Sequence, residues 1–274
     1  MKIKKLLKRG NDFRPTFFAF PYVLICIIFV VLPLVLVLVY AFMDDGGGFT
    51  LTNFVEVFTK DNLLLLLKTL GIAALTTVLC LLIAYPTALI LASKPFNRYV
   101  ILALMFIIPM WMNFVLRIIA LRSLLYMIGV DYGFAATIIG MVYDFLPFML
   151  LPIYNVLMEM DKSYMEAATD LGANSFLTFF KVTLPLSLKG IISGITMVFM
   201  PVFSAYAITG MLGDTNTTII GGKINGLFEM TSTWGVGSAM SFVLLILVFL
   251  TMLLGNVFSG KGDNKPLAKG GANE

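Results

Sequence analysis

The chain has 274 residues, of which 59% are hydrophobic and only 12% charged, with a net charge of +4. Soluble domains run about 45–50% apolar and about 25% charged, so this composition excludes a soluble globular protein and predicts a membrane domain over nearly the whole length. With no His present, a His-based metal site, general base or triad is excluded. Cys26 and Cys80 sit in apolar runs, as small buried hydrophobes rather than a disulfide framework or zinc site.

Residues 1–16 form a basic tail carrying Lys2, Lys4, Lys5, Lys8, Arg9 and Arg14. Residues 17–62 hold a first apolar run, Phe17 to Phe42, and an acidic, Gly-rich loop. The run is longer than a secretory h-region of roughly 7–15 residues and lacks a small-x-small cleavage site. It reads as an uncleaved transmembrane helix bent near Pro33.

Five further spans are expected at about Leu63–Ala92, Tyr99–Leu116, Ala135–Leu157, Gly190–Leu212 and Ser238–Phe258. Each has enough apolar residues for a hydrocarbon core of roughly 30 Å. Pro86, Pro109, Pro147 and Pro201 lie inside them, and the carbonyls they free must be met by neighbours or a wet cavity. Gly190-x-x-x-Gly194 offers a close helix approach. Residues 259–274 read as a disordered polar tail. Placing the N-terminus inside puts 14 of the 19 Lys and Arg in inner segments, the pattern expected for a six-span, N-in/C-in protein.

Gly255 to Gly262, GNVFSGKG, nearly matches a phosphate-binding loop. Its last residue offers no hydroxyl for magnesium, and it follows a membrane helix rather than a strand. The chain is therefore expected to have no catalytic residues and to bind no cofactor of its own.

The segment 158–189 is a polar island between apolar spans, expected in the cytoplasm. Within it Glu166 to Pro185 reads EAATDLGANSFLTFFKVTLP. Glu166, Ala167 and Ala168 are good helix formers, and Gly172 sits where a helix is commonly closed by a residue tolerating positive φ. Phe176, Phe179, Phe180 and Val182 recur near helical spacing, and Leu184-Pro185 is expected to stop that run. The expected local structure is helix, sharp turn, helix. Its apolar positions suit docking into a groove of a soluble partner.

Asp144 is the one acid well inside an apolar span. An ionised carboxylate there costs about 2.5–3.5 kcal/mol on insertion scales, so it faces a cavity or a partner. Either it lines a solute pathway, with π-faces from Tyr143 and Phe148 nearby and Trp111, Asn113 and Tyr206 as further lining, or it pairs with Arg117.

The spacing E-A-A, three residues, Gly, nine residues, then Val182-x-Leu184-Pro185 resembles the coupling-loop signature of ABC importer permeases, with Val182 in place of Ile. Pro109-Met110-Trp111-Met112-Asn113 with Arg117, Val142 to Met149, Pro152-Ile153-Tyr154 and Val198-Phe199-Met200-Pro201 resemble the spermidine/putrescine permeases, the PotB type more than the PotC type. The sequence departs from that family at Ser204–Thr209 and at Asp144. The resemblance covers 63–258. It implies an all-α type I importer transmembrane domain in the bacterial plasma membrane, coupled through Glu166, Ala167, Ala168, Gly172, Leu184 and Pro185. It also implies a second, PotC-like permease, two ATPase subunits holding ATP and magnesium, and an extracellular polyamine-binding protein. Two other readings remain open: a permease for sulfate, molybdate, phosphate or iron, and an ATP-independent secondary transporter. The lone buried acid favours a cationic solute, and the absence of internal repeats disfavours the secondary transporter.

Overall fold

The computed structural model describes residues 15–44, 46–93 and 100–260. Lys94 and Arg98, and most of the tails expected at 1–16 and 259–274, lie outside the described residues. The described residues form helices and turns, with one isolated antiparallel bridge, Met43 to Phe49. The helices are α1 (Pro15–Cys26), α2 (Leu32–Ala41), α3 (Thr52–Val57), α4 (Lys60–Ala92), α5 (Val100–Trp111), α6 (Phe114–Met127) and α7 (Phe134–Glu159). They continue as α8 (Ser163–Asp170), α9 (Ser175–Thr178), α10 (Leu184–Val202), α11 (Tyr206–Leu212), α12 (Ile220–Glu229) and α13 (Trp234–Gly260). An all-helical chain is what a bilayer demands of a segment-rich apolar sequence, because each helix satisfies its own backbone.

Five stretches among the described residues are long and apolar enough to cross a membrane: Pro21–Ala41, Lys60–Ala92, Phe134–Glu159, Ser175–Val202 and Thr231–Leu253. Two expected spans differ. Tyr99–Leu116 is not one helix but α5 and α6, interrupted at Met112 and Asn113. At 1.5 Å per residue these two span about 18 Å and about 21 Å, each short of a hydrocarbon core of about 30 Å. Gly190–Leu212 begins earlier, at Ser175, and ends at Val202; Phe203–Ala205 then separate it from α11.

Pro185 does not stop the helix before it. Pro33 and Pro185 each follow a π turn, Ile27–Val31 and Phe179–Thr183, and the helix runs on through both. The Leu32 N–H donates to the Ile27 carbonyl and the Leu184 N–H to that of Phe179, five residues back instead of four. The wider turn moves the backbone that a proline ring would otherwise strike.

The chain divides into two compact units: residues up to Phe58 with Leu227–Leu244, and Thr59–Gly226 with the residues from Leu245 onward. In the first, the Asn53 amide donates to the Ala41 carbonyl at 3.1 Å and that of Met43 at 2.9 Å, closing the end of α2. Gly235 lies against this amide, where any Cβ would come within 2.6 Å of Asn53 Nδ2. The Tyr40 and Trp234 rings meet edge to face at 5.8 Å.

The second unit is built on α4, α7 and α10, which pack on one another. Gly190 and Gly194 make the approach expected of them. A Cβ at Gly190 would sit 2.8 Å from the Pro152 carbonyl oxygen, and one at Gly194 3.1 Å from that of Met149, so α10 rests directly on the backbone of α7. Buried small residues on α4, including Ala73, Ala84 and Ala88, allow similar closeness. The Tyr85 hydroxyl and Ser187 Oγ, 2.8 Å apart, join α4 to α10. At the other end of α4, Thr69 Oγ1 accepts from the Ile220 N–H at 2.9 Å, Lys68 donates to the Asn216 carbonyl, and Lys223 donates to the Asn62 side chain. Asp214 caps the 3-10 turn Thr215–Thr217, and the Thr217 hydroxyl holds its carboxyl below the usual carboxylate range.

Candidate functional site

The segment between α7 and α10 is two short helices at a sharp corner. Asp161 accepts from the Ser163 N–H at 3.0 Å at the start of α8; that bond holds its carboxyl below the usual carboxylate range. At the far end Gly172 has φ +84°. Its N–H reaches the Thr169 carbonyl at 2.9 Å, and the Ala173 N–H reaches that of Ala168 at 3.0 Å. This pair of bonds closes a helix through a left-handed residue, a position glycine takes without strain. Asn174 then starts α9, its side chain accepting from the Leu177 N–H at 2.8 Å.

The two faces of this corner differ. Inward, the Phe179 ring meets Tyr85 edge to face at 5.8 Å, and Thr183 is buried. Outward, Leu171 is 89% exposed and Phe176 is 71% exposed, with the Phe180 ring 4.6 Å from that of Phe176. Large apolar groups held out by capped helices form a surface that a partner can cover. Of the expected coupling residues, Glu166, Ala167, Gly172 and Pro185 are exposed, and Ala168 and Leu184 are half-buried. Glu166 lines a cavity of about 730 Å³ behind the corner, with Lys162, Thr169 and Asn174 and the ends of α4 and α7 at Ala92 and Leu157.

The second group centres on the break between α5 and α6. Asn113 caps α6, accepting from the Val115 N–H at 2.9 Å and the Leu116 N–H at 3.3 Å. One turn on, Arg117 is buried and donates through Nη2 to Asp144 Oδ1. Its Nη1 donates at 2.6 Å to the Pro109 carbonyl oxygen, an acceptor in the last turn of α5. That carbonyl also accepts from the Met112 N–H at 3.2 Å, so the guanidinium takes its second lone pair, at a helix C-terminus where cations are favoured. The guanidinium carbon also lies 5.8 Å from the Tyr143 ring centroid. One arginine thus ties α5, α6 and α7 together.

The structure therefore gathers Asp144, Tyr143 and Arg117. Asp144 is buried and paired with Arg117, one of the two placements that the residue types leave available. The other expected lining residues stand in surroundings of their own. Trp111 is 88% exposed, Asn113 is exposed and occupied as a cap, Phe148 is half-buried with its ring 6.3 Å from Phe145, and Tyr206 opens α11 beside Gly222. The role of the Pro109 carbonyl was not foreseen; the signal was a proline four residues ahead of an asparagine and eight ahead of an arginine.

Residues 13–261 match the family model described as binding-protein-dependent transport system inner membrane component. The chain belongs to this family. As a member it is a multi-pass membrane protein, and its homologues are transport permease subunits. It is 33% identical over 252 residues to the spermidine/putrescine transport system permease protein PotB of Haemophilus influenzae, covering 83% of this chain and 88% of that protein. Against PotB of Escherichia coli it is 32% identical over 251 residues, covering 83% and 91%. Its fold is shared with a chain of the bacterial alginate ABC transporter, crystallised with an alginate pentasaccharide-bound periplasmic protein. There the TM-score is 0.73 at 16% identity, over 95% of this chain and 98% of that one. A chain of the inward-facing MetNI methionine ABC transporter matches with a TM-score of 0.60 at 19% identity, over 74% and 99%.

Proposed function

We propose that this permease is one of two membrane subunits of an ATP-driven polyamine importer. The observation that carries the substrate class is the likeness to PotB along 83% of the chain at 32–33% identity. A buried acid whose partner cation lies beside the Tyr143 ring fits a cationic solute. In this reading an external binding protein delivers putrescine or spermidine, a second permease of the PotC type completes the pathway, and two cytosolic ATPases bind the magnesium and ATP.

The chain crosses the membrane six times with both ends inside, α5 and α6 together making one interrupted crossing. The corner at Gly172 then faces the cytosol, and its exposed Leu171, Phe176 and Phe180 seat in a groove of an ATPase subunit. Movement of that subunit is passed to α10 because the helix runs from Ser175 to Val202 without a flexible joint. Glu166, Ala167, Ala168, Gly172, Leu184 and Pro185 shape this coupling surface, and Asp144, Tyr143, Phe148, Trp111, Asn113 and Tyr206 belong to the pathway.

Uptake of labelled putrescine and spermidine by cells with this subunit deleted and then restored tests the substrate. Uptake unchanged by deletion refutes the polyamine assignment, and failure of an ATPase to co-purify refutes the coupling. Single cysteines at Gly46 and Ser232, in a background lacking Cys26 and Cys80, are expected to react with an impermeant thiol reagent outside the cell. One at Asn174 is expected to react only once the inner face is opened; labelling of Asn174→Cys in intact cells refutes the topology.

A further inference from the structure

The Arg117–Asp144 pair is built in a way that structure alone does not ask for. Apolar residues of equal volume commonly hold helices together as well as a buried ion pair does. This pair is also incompletely satisfied, because Arg117 is 6% exposed and its buried Nε has no hydrogen-bond partner among the described residues. Around the guanidinium stand a carboxylate, a carbonyl near a helix end and an aromatic face, from Asp144, Pro109 and Tyr143. That set accepts hydrogen bonds and draws positive charge, and nothing in it selects a guanidinium over an alkylammonium. It lies beside a helix interruption with exposed Trp111 and Asn113. Irregular backbone at membrane depth is tolerated where it is buried in protein or lines a wet cavity.

We propose that Asp144, the Pro109 carbonyl and the Tyr143 ring form an ammonium site that Arg117 fills when no solute is present. The solute's ammonium and the guanidinium then compete for one carboxylate. This rests on the polyamine reading above. A primary ammonium has three N–H donors, against the two that Arg117 uses here, and the four-carbon chain of putrescine has the reach of an arginine side chain. The internal cation keeps Asp144 compensated in the empty transporter, where a bare carboxylate is costly. It also makes solute binding an exchange, so the site releases its cation as readily as it takes one.

Chemical rescue tests the exchange. The whole transporter, purified with its partner subunits, is compared as wild type, Arg117→Ala and Arg117→Ala/Asp144→Asn, and its thermal midpoint is followed against putrescine. The Arg117→Ala transporter is expected to be less stable and to regain several degrees as putrescine rises, because the ligand binds only the folded state. The double variant is expected to gain nothing, and 1,4-butanediol, which has the same chain without charge, to rescue neither. No putrescine-dependent gain in Arg117→Ala, or an equal gain in the double variant, overturns the proposal.

Should Arg117→Ala fail to assemble, a Trp111→Cys reporter in a background lacking Cys26 and Cys80 replaces the midpoint. Putrescine is expected to slow its modification by a thiol reagent by about tenfold, and to do so no longer when Arg117→Gln and Asp144→Asn are added together. Absence of protection, or protection that survives both changes, overturns the exchange. Labelled putrescine uptake by the wild type keeps the two readings apart: no uptake refutes the polyamine assignment itself.

Discussion

The permease interrupts its helices in two places by similar means and to opposite ends. Between α5 and α6, and between α8 and α9, the chain stops a helix, turns, and restarts on an asparagine whose side chain accepts from the new helix. At Asn113 the restart carries a charge inward, so that Arg117 disappears into a pair with Asp144. At Asn174 the restart carries rings outward, leaving Phe176 mostly in the open. The first interruption is finished within one chain. The second leaves apolar surface exposed, of the kind that a partner can cover.

That difference is broken most severely at Arg117. Arg117→Leu leaves the Asp144 carboxylate buried and alone, a loss of roughly 3–5 kcal/mol, seen as a lower thermal midpoint and yield of the purified complex. Arg117→Leu with Asp144→Leu is expected to recover most of it, since an apolar pair of similar volume asks for no compensation. Equal damage in the single and double variants would mean that charge is not what holds α5, α6 and α7 together.

Two glycines sharpen the contrast at a smaller scale. Gly190→Ala drives a methyl against the Pro152 carbonyl, which is backbone and cannot swing aside. An overpacked contact of this kind costs typically 1–3 kcal/mol. Gly210 has nothing within 4 Å of its missing Cβ, and Gly210→Ala is expected to be neutral or stabilising by about 0.5–1 kcal/mol. Thermal midpoints that fail to separate these two alanines would refute the close α7–α10 contact.

At the other interruption Gly172 has open space but φ +84°. Gly172→Val therefore pays in backbone strain alone, roughly 1–2 kcal/mol, and the corner reopens instead of the core. Insertion and expression are expected to persist while recovery of the ATPase with the permease falls. Full ATPase recovery and full uptake in Gly172→Val would remove the coupling role from this corner.

The two interruptions were unequally legible in the sequence. The corner was readable because its signals are local: Gly172 beyond a run of helix formers, and a signature at fixed spacing. The Gly190/Gly194 contact was readable for the same reason, since a four-residue spacing fixes one helix face. The break at Asn113 was hidden inside an apolar run, where hydropathy averages over one polar residue and reports a continuous span. The partner of Asp144 is not decided by local sequence, because Arg117 stands 27 residues away and only the packing of α6 on α7 decides between a pair and an open carboxylate. Pro185 misled for a physical reason: a proline stops an α-helix by its clash with the turn before it, and a π turn removes that clash.

The smallest expected losses lie in the two caps themselves, and they separate the interruptions most cleanly. Asn113→Ala removes an acceptor from two N–H groups and Asn174→Ala from one, each worth about 1 kcal/mol. Both are expected to lower the thermal midpoint slightly, and their functional effects to diverge. Asn174→Ala loosens the corner and weakens ATPase recovery; Asn113→Ala loosens the segment that holds Arg117 and changes uptake with ATPase recovery intact. Serine decides whether Asn113 also touches solute, because Ser caps a helix nearly as well as Asn and lacks its amide. Asn113→Ser is expected to restore the midpoint. If uptake returns with it, the residue serves the pathway only by starting α6; if the midpoint returns and uptake does not, the amide itself meets the passing cation.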